Sequence, residues 1–441
     1  MLEKAQQIFI VGIGGIGVSG LARILHERGK TVTGSDVSSS ELTSALALEG
    51  IRVFIGHRRE NLAQETELLI YSSAVPEDNP ERREAEARHI LQMVYPQALG
   101  ELAQGQKVIA IAGTNGKTTV TAMVARILEA AGLDPSAVVG SKVLDWDSNA
   151  RSGAGEYLVV EADEYRRAFL NYQPEVAVIT NIQEDHLDYY RDLRDIKKAF
   201  TEFVGKLKPG GTLVYNAEDD HTLEVAGQSQ VKTVSFAVHR AAEVNEKNFR
   251  LPPLVVPGGF NRSNAFAAAA VAQVVGVPNS VIASALAKFR GTWRRFEKLG
   301  RVGETEIISD YAHHPEGVRV TLETAAGLYG GEKVLAVFQP HQHNRTKKLF
   351  QKFVEVFADT PVQNFIISEI FEVAGREEAQ DQDISSNDLV REILARGKKV
   401  QYAPDLEHCE KLVRRNLRGF RAVIFLGAGD IYKVAERLAH G

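Results

Sequence analysis

Val108-Ile-Ala-Ile-Ala112-Gly113-Thr-Asn-Gly116-Lys117-Thr118-Thr119 is the stretch on which the fold turns. Its five apolar residues read as a buried strand, residues 113–116 as a turn, and residues 120–131 as a helix that Gly132 stops. Strand, glycine turn and helix in that order form a phosphate loop. Backbone N–H groups of Gly113, Thr114, Asn115 and Gly116 would surround nucleotide phosphates and Lys117 would neutralise their oxygens, a task a merely structural turn would not need a lysine for. Thr118, followed by Thr119, offers a hydroxyl to Mg²⁺. The spacing departs from the strict Walker pattern, because Ile111 stands where that pattern has glycine.

On either side, short apolar runs ending in Gly, Ser, Asp or Asn alternate with longer helical patterns, the βαβ rhythm of parallel sheets. The rhythm starts three times. The first series has strands at 8–11, 31–35 and 68–71. The second has strands at 108–112, 157–160, 176–180 and 212–215, then an Ala-rich helix at 264–275. The third has strands at 306–309, 334–338, 365–368, 399–402 and 422–426. Polar stretches at 102–106 and 296–303 read as the seams. The expectation is an α/β protein of three domains in series. Residues 1–103 form a Rossmann-like domain, 104–296 a central P-loop ATPase-like domain, and 297–441 a Rossmann-like, doubly wound C-terminal domain. No fixed-period repeat or low-complexity tract interrupts them.

Bulk properties agree. A chain of 441 residues has length for about three domains, and 44% hydrophobic with 25% charged residues is ordinary globular composition. A net charge of −5 gives no electrostatic reason to expect binding to nucleic acid or anionic lipid. One cysteine, Cys409, permits neither an internal disulfide nor a cysteine-based zinc site, which points to a reducing compartment. No secretory signal or run of about 18 apolar residues is present, so the expected location is cytoplasmic.

Three further constellations carry chemistry. After the first strand, Gly12-Ile-Gly14-Gly15-Ile-Gly17 would let backbone approach a pyrophosphate at a helix N-terminus, with Asp36 after the second strand placed to accept from a ribose or uracil donor. Such a turn also serves simply to pack helix on strand. In the central domain, Glu161-Ala-Asp163-Glu164 ends one strand, and Asn181 leads into Glu184-Asp185-His186-Leu-Asp188 after the next. Glu161 is placed to meet the metal, and a nitrogen ligand at His186 suggests a second or Mn²⁺-tolerant site. In the last domain, Asp310-Tyr311-Ala-His313-His314-Pro315 follows one strand and His341-Gln342-His343-Asn344-Arg345 the next. Their spacing is not that of a helical zinc pair, and a grip on substrate carboxylate and phosphate suits Arg345 and the histidines better.

Taken together, GTNGKTT, EADE, TNIQEDHLD, Asn264, WRRFE and DYAHHP resemble the Mur ligase family, ATP-dependent amide-forming enzymes of peptidoglycan precursor synthesis. The resemblance spans the chain, and GIGGIGVSG with FQPHQHNRT is most similar to the branch that joins L-alanine to UDP-N-acetylmuramate through an acyl phosphate. It implies ATP with Mg²⁺ held by Thr118, Glu161 and His186, and catalysis by Lys117, Glu161, His186, His313 and Arg345. Asn264, Arg295 and Asp310 would face the nucleotide. Gly12, Gly14, Gly15, Gly17, Ser35, Asp36 and Ser73 would hold the UDP-sugar, and Tyr311, His313, His341 and Arg345 the amino acid. The partners implied are small-molecule substrates, with no nucleic acid or membrane, for a monomer or weak homodimer.

Asn115, Phe260 and Gln342 depart from the family pattern, and the last removes a guanidinium near the amino-acid carboxylate. The carbamoylated lysine of other branches is absent, its position falling near Phe200. Three other readings stand beside this one. A murein-recycling ligase would attach a tripeptide, a P-loop switch would leave DYAHHP idle, and a nicotinamide-dependent oxidoreductase would leave the GKTT loop unexplained.

Overall fold

The computed structural model describes residues 1–186, 189–372 and 383–440. They fall into two compact units, one of Met1–Val255 with Asn261–Thr292 and one of Val256–Phe260 with Trp293–Gly441. Among the described residues no helix is long and apolar enough to cross a membrane.

The first unit opens with β1 (Gln7–Val11), α1 (Ile16–Glu27), β2 (Thr31–Asp36), α2 (Glu41–Leu48), β3 (Arg52–Ile55), β4 (Leu68–Tyr71), α3 (Pro80–Ala87), β5 (Leu91–Val94) and α4 (Tyr95–Leu102). The strands form a parallel sheet in the order β3-β2-β1-β4-β5. A second sheet follows. It is built from β6 (Lys107–Ala112), α5 (Lys117–Ala130), β7 (Ser136–Val143), β8 (Ser148–Arg151), β9 (Tyr157–Glu161), β10 (Val176–Ile179), α6 (Leu193–Val204), β11 (Thr212–Asn216), α7 (Asp220–Gly227), β12 (Lys232–Phe236), α8 (Gly259–Val275) and α9 (Asn279–Lys288). Its order is β12-β11-β10-β6-β9-β7-β8, parallel except for the β7–β8 hairpin. Strands β1, β6 and β10 lie inside their sheets and, apart from the opening Gln7 and Lys107, are apolar, as strands covered on both faces are.

Helix α1 joins the two sheets. Gly20 comes so close to β7 and β8 that a Cβ would sit 3.2 Å from both Val138 and Asn149. Buried Asn149 donates to the Ile16 carbonyl and accepts from Arg23, whose other contact is Glu49 at 2.7 Å. Each nitrogen of this buried guanidinium therefore has a partner, and its charge is paired with a carboxylate.

The second unit comprises β13 (Glu297–Val302), β14 (Thr305–Asp310), α10 (Pro315–Tyr329), β15 (Val334–Phe338), α11 (His343–Lys348), α12 (Phe350–Asp359), β16 (Asn364–Ser368), α13 (Ser386–Ala395), β17 (Lys399–Ala403), α14 (Leu406–Asn416), β18 (Ala422–Leu426) and α15 (Tyr432–His440). Its sheet order is β13-β14-β18-β15-β16-β17, with only β13 antiparallel among the described strands. Strand β18, last in the chain, lies between β14 and β15, so the loops after all three share one sheet edge. That edge is where open α/β sheets bind ligands.

Two sequence expectations need correcting. Residues 296–303, read as a polar seam, are largely β13. An edge strand pairs on one side only and tolerates charge, and here Lys298 and Arg301 reach Glu306 of β14 at 3.0 and 2.6 Å. The Ala-rich helix expected to start at residue 264 starts at Gly259, so Asn261 and Asn264 lie on one helical face, where they hydrogen-bond at 3.2 Å.

Candidate functional site

Strand β6 delivers the phosphate loop directly into α5. Gly113 and Gly116 carry φ of +128° and +89°, conformations that glycine alone enters cheaply. A Cβ on Gly116 would lie 2.5 Å from Asn264 Oδ1, so α8 brings Asn264 onto the loop. The loop is cross-tied to the end of β10. Asn115 N–H donates to Asn181 Oδ1 at 2.9 Å, while Asn181 Nδ2 and Thr180 Oγ1 return bonds to the Asn115 carbonyl at 2.9 and 2.6 Å. Asn181 belongs to TNIQEDHLD, but its task as a loop brace depends on β10 lying beside β6, which local spacing does not reveal.

Lys117 Nζ donates to the Gly113 carbonyl at 2.6 Å and lies 3.0 and 2.9 Å from the two oxygens of Glu164. Burial works against its charge, but Glu164, Asp163 and Glu161 hold its pKa above the ordinary lysine value. For Glu164 burial wins and lifts the carboxyl above its usual range, with Lys117 pulling the other way. Thr118 Oγ1 donates to Glu161 Oε1 at 3.0 Å, and Glu161 Oε2 accepts from Gly140 N–H at 2.7 Å.

Of the three expected metal ligands, Thr118 and Glu161 are therefore together. His186 stands instead with Glu164 and Asp163, their donor atoms all within 4.8 Å of one another. Asp163, Glu164 and His186 offer two carboxylates and an imidazole, and the Thr118–Glu161 pair a hydroxyl and a carboxylate, donor types that suit a divalent cation with mainly oxygen ligands. His186, Arg166 and Arg167 take φ of +54°, +50° and +58° on this edge, the kind of local strain that gathers at functional sites. Asp188 lies outside the described residues.

In the N-terminal sheet, the Gly12 and Ile13 amides both donate to the Ser35 carbonyl, and Gly14 N–H donates to Asp36 Oδ2 at 2.8 Å. Gly14 and Gly17 have no room for a side chain, since a Cβ would lie 2.9 Å from Asp36 Oδ2 and 2.5 Å from Tyr95 Oη respectively. Gly15 caps α1, and Ser73 stands exposed after β4. The Ser35 side chain is placed differently from the expectation. It is fully buried and donates to Glu81 Oε2 at 2.7 Å, in a cluster where His57 Nδ1 is 2.9 Å and Asn61 Nδ2 2.7 Å from the same carboxylate. Its hydroxyl serves the domain's own packing.

In the second unit, Asp310 ends β14 with both oxygens engaged. They accept from the N–H groups of Phe296 and Ala312 at 2.7 and 2.8 Å. Burial raises its pKa, opposed by Arg295 and the two amides. The clamp fixes a left-handed turn in which Arg294 and Phe296 have φ of +57° and +50°, with the Arg295 guanidinium 5.2 Å from the Tyr311 ring centroid. Sequence reading placed Asp310 at the nucleotide ribose, whereas its bonds here are to the chain itself. Arg294, which sequence reading passed over, is buried among Trp293, Tyr311 and Tyr432 and donates to the Gly427 carbonyl.

The histidines and arginine do gather at this edge. His313 lies 5.2 Å from Tyr311 and 5.7 Å from His341, ring to ring, and Arg345 Nη1 donates to His341 Nδ1 at 3.1 Å. Burial, then the nearby Arg345 charge, lowers the His313 pKa to about 3, so its ring is neutral at physiological pH. His313 Nδ1 is 3.0 Å from the Tyr311 carbonyl, which can only accept. The ring proton is therefore on Nδ1 and the lone pair on Nε2. Gln342 caps α11 at φ +68° and donates its N–H to the Phe371 carbonyl at 2.9 Å.

Family models match nearly the whole chain in three blocks. These are "Mur ligase family, catalytic domain" at residues 7–107, "Mur ligase middle domain" at 111–272 and "Mur ligase, glutamate ligase domain" at 294–429. The chain belongs to the Mur ligase family. Among curated relatives of this Mur ligase, the UDP-N-acetylmuramate--L-alanine ligase of Carboxydothermus hydrogenoformans is 38% identical, over 99% of this chain and 97% of its own. The crystal structure of the UDP-N-acetylmuramate-alanine ligase of Thermotoga maritima superposes with a TM-score of 0.83 at 28% identity, covering 98% of each chain. A murein peptide ligase from Psychrobacter arcticus shares the fold, with a TM-score of 0.71 at 21% identity over 98% of each chain. Phe200 is fully buried against Phe169.

Proposed function

We propose that this Mur ligase joins L-alanine to the carboxylate of UDP-N-acetylmuramate with conversion of ATP to ADP and phosphate. The observation that carries the reading is the pairing of full-length likeness to ligases of that name with a phosphate loop whose lysine stands among carboxylates. A carboxylate is a poor electrophile, and phosphorylation gives it a leaving group. The muramyl carboxylate oxygen attacks the γ-phosphorus, and ADP departs with the electrons of the broken P–O bond. The alanine amine then adds to the acyl carbon, loses a proton, and the C–O bond to phosphate breaks.

The loop amides and Lys117 meet charge on the transferring phosphoryl group. We assign a divalent cation to Thr118, Glu161 and His186, with Asp163 and Glu164 beside them; when bound it neutralises phosphate charge. Asn264 packs on the loop and aligns the nucleotide. The N-terminus of α1 at Ile16 and Gly17, approached over the small Gly12, Gly14 and Gly15, takes the UDP portion with Asp36 and Ser73. In the second unit, Arg345 grips the alanine carboxylate bidentately, and His341 is held in one tautomer by the same guanidinium. Neutral His313 offers its Nε2 lone pair as a hydrogen-bond acceptor for the amine. Arg295 and Tyr311, set by the Asp310 clamp, complete the acceptor side.

The test is isotopic. UDP-N-acetylmuramate carrying ¹⁸O in its carboxylate should deliver one labelled oxygen to the released phosphate, and mass spectrometry should find UDP-N-acetylmuramoyl-L-alanine. Product with unlabelled phosphate would refute the acyl phosphate, and no product would refute the ligase reading.

A further inference from the structure

The Lys117 ammonium has three donors, and the chain itself uses them: on the Glu164 carboxylate at 2.9 and 3.0 Å, on the Gly113 carbonyl at 2.6 Å and on the Thr114 carbonyl at 3.3 Å. None is left for a phosphate. A nucleotide entering this loop must displace one of these acceptors, and Glu164 supplies two of the four. The backbone that carries this carboxylate is fixed. Its own carbonyl is held by Tyr190 Oη at 2.5 Å, and the chain turns at once through left-handed Arg166 and Arg167, the latter anchored to Asp195 at 3.1 Å and to Glu202. Once parted from Lys117, the buried carboxyl group stays beside the phosphates without the cation that offset its burial. What stands next to it is the rest of a cation-binding set, with His186 Nε2 at 3.8 Å from Glu164 Oε1 and Asp163 within the same 4.8 Å group.

We infer that Glu164 is a positioning residue that makes nucleotide binding depend on the divalent cation. In the free protein it holds Lys117 aimed across the loop. When phosphate takes the lysine, the freed carboxylate needs the cation, so metal-free nucleotide meets both a competitor for Lys117 and an uncompensated like charge. Glu161 accepts from the Thr118 hydroxyl and the Gly140 amide, so it is Glu164 that binds the lysine directly. The inference rests on the ATP-binding reading above.

The experiment is calorimetric titration of the full chain with ATP, once with excess EDTA and once with Mg²⁺, for wild type, Glu164→Gln and Glu164→Ala. Wild type should bind Mg²⁺-ATP much more tightly than ATP alone. Both variants should bind metal-free ATP about tenfold more tightly than wild type and gain correspondingly less from Mg²⁺. A merely structural role for Glu164 would weaken both titrations together and leave their ratio unchanged, which overturns the inference. The alanine variant decides the matter should the glutamine not pack. Wild type that binds Mg²⁺-ATP while the variants keep its ratio defeats this inference alone, whereas wild type that binds no ATP in either buffer defeats the parent reading and this one with it.

Discussion

Asp310→Ala separates two roles for one residue. Its carboxylate accepts two backbone amides, from Phe296 at 2.7 Å and from Ala312 at 2.8 Å, in a buried setting. Truncation leaves both donors without an acceptor, at about 1–3 kcal/mol each, so roughly 4 kcal/mol in total. For a domain of this size about 2–4 °C of melting temperature accompanies each kcal/mol, so the second unit should melt roughly 10 °C lower. Asp310→Asn keeps one acceptor oxygen but turns an NH₂ towards the other amide, and should lose about half as much.

The turn at Arg294 and Phe296, both at positive φ, is held by this clamp. Its release should also lower kcat by misplacing Arg295 and Tyr311, while the phosphate loop in the first unit keeps its ATP affinity. Scanning calorimetry of the full chain with parallel ATP titration measures both. Unchanged melting with lost ATP affinity would refute the clamp and return Asp310 to the nucleotide ribose.

Three other perturbations are expected to act locally. Arg345→Ala should raise the KM for L-alanine roughly 10–100-fold, the worth of hydrogen bonds to a charged group, with ATP affinity unaltered in titration. Gly116→Ala, whose Cβ would lie 2.5 Å from Asn264 Oδ1 at φ +89°, should weaken ATP binding about tenfold by calorimetry. His313 has a folded pKa of about 3 against 6.5 when unfolded, so below pH 6.5 the unfolded chain binds the extra proton. Its contribution to stability is present above pH 6.5 and is lost as pH falls towards about 3. His313→Gln should therefore lose less melting temperature than wild type on acidification from about pH 7.5 to about pH 5.

The parallel sheets were legible because their strands are apolar on both faces and end in turn residues, as 108–112, 176–179 and 422–426 show. The strand–turn–helix of the phosphate loop was legible too, because it is continuous in the chain; Asp36 was read towards a ribose or uracil donor, whereas its Oδ2 accepts from Gly14 N–H. What escaped depends on which strands lie side by side. β13 hides among charges because an edge strand tolerates them. Glu164 rather than Glu161 meets Lys117 because of the way β9 ends against α5, and both carboxylates sit in one short motif. Ser35 looks free in sequence next to Asp36, yet alternation along β2 turns it inward to Glu81. Asn261 was masked by the polar opening of α8, whose helical character shows only when residues 259–263 are placed on the same turn pattern as the alanines that follow.

The most direct test of the central claim is phosphate release from Mg²⁺-ATP in the presence of UDP-N-acetylmuramate and a panel of single amino acids, with the stem tripeptide alongside. Release that requires both the UDP-sugar acid and an acceptor, and is strongest with L-alanine, is the predicted result. Release driven by the tripeptide alone, or release that needs neither substrate, would contradict it.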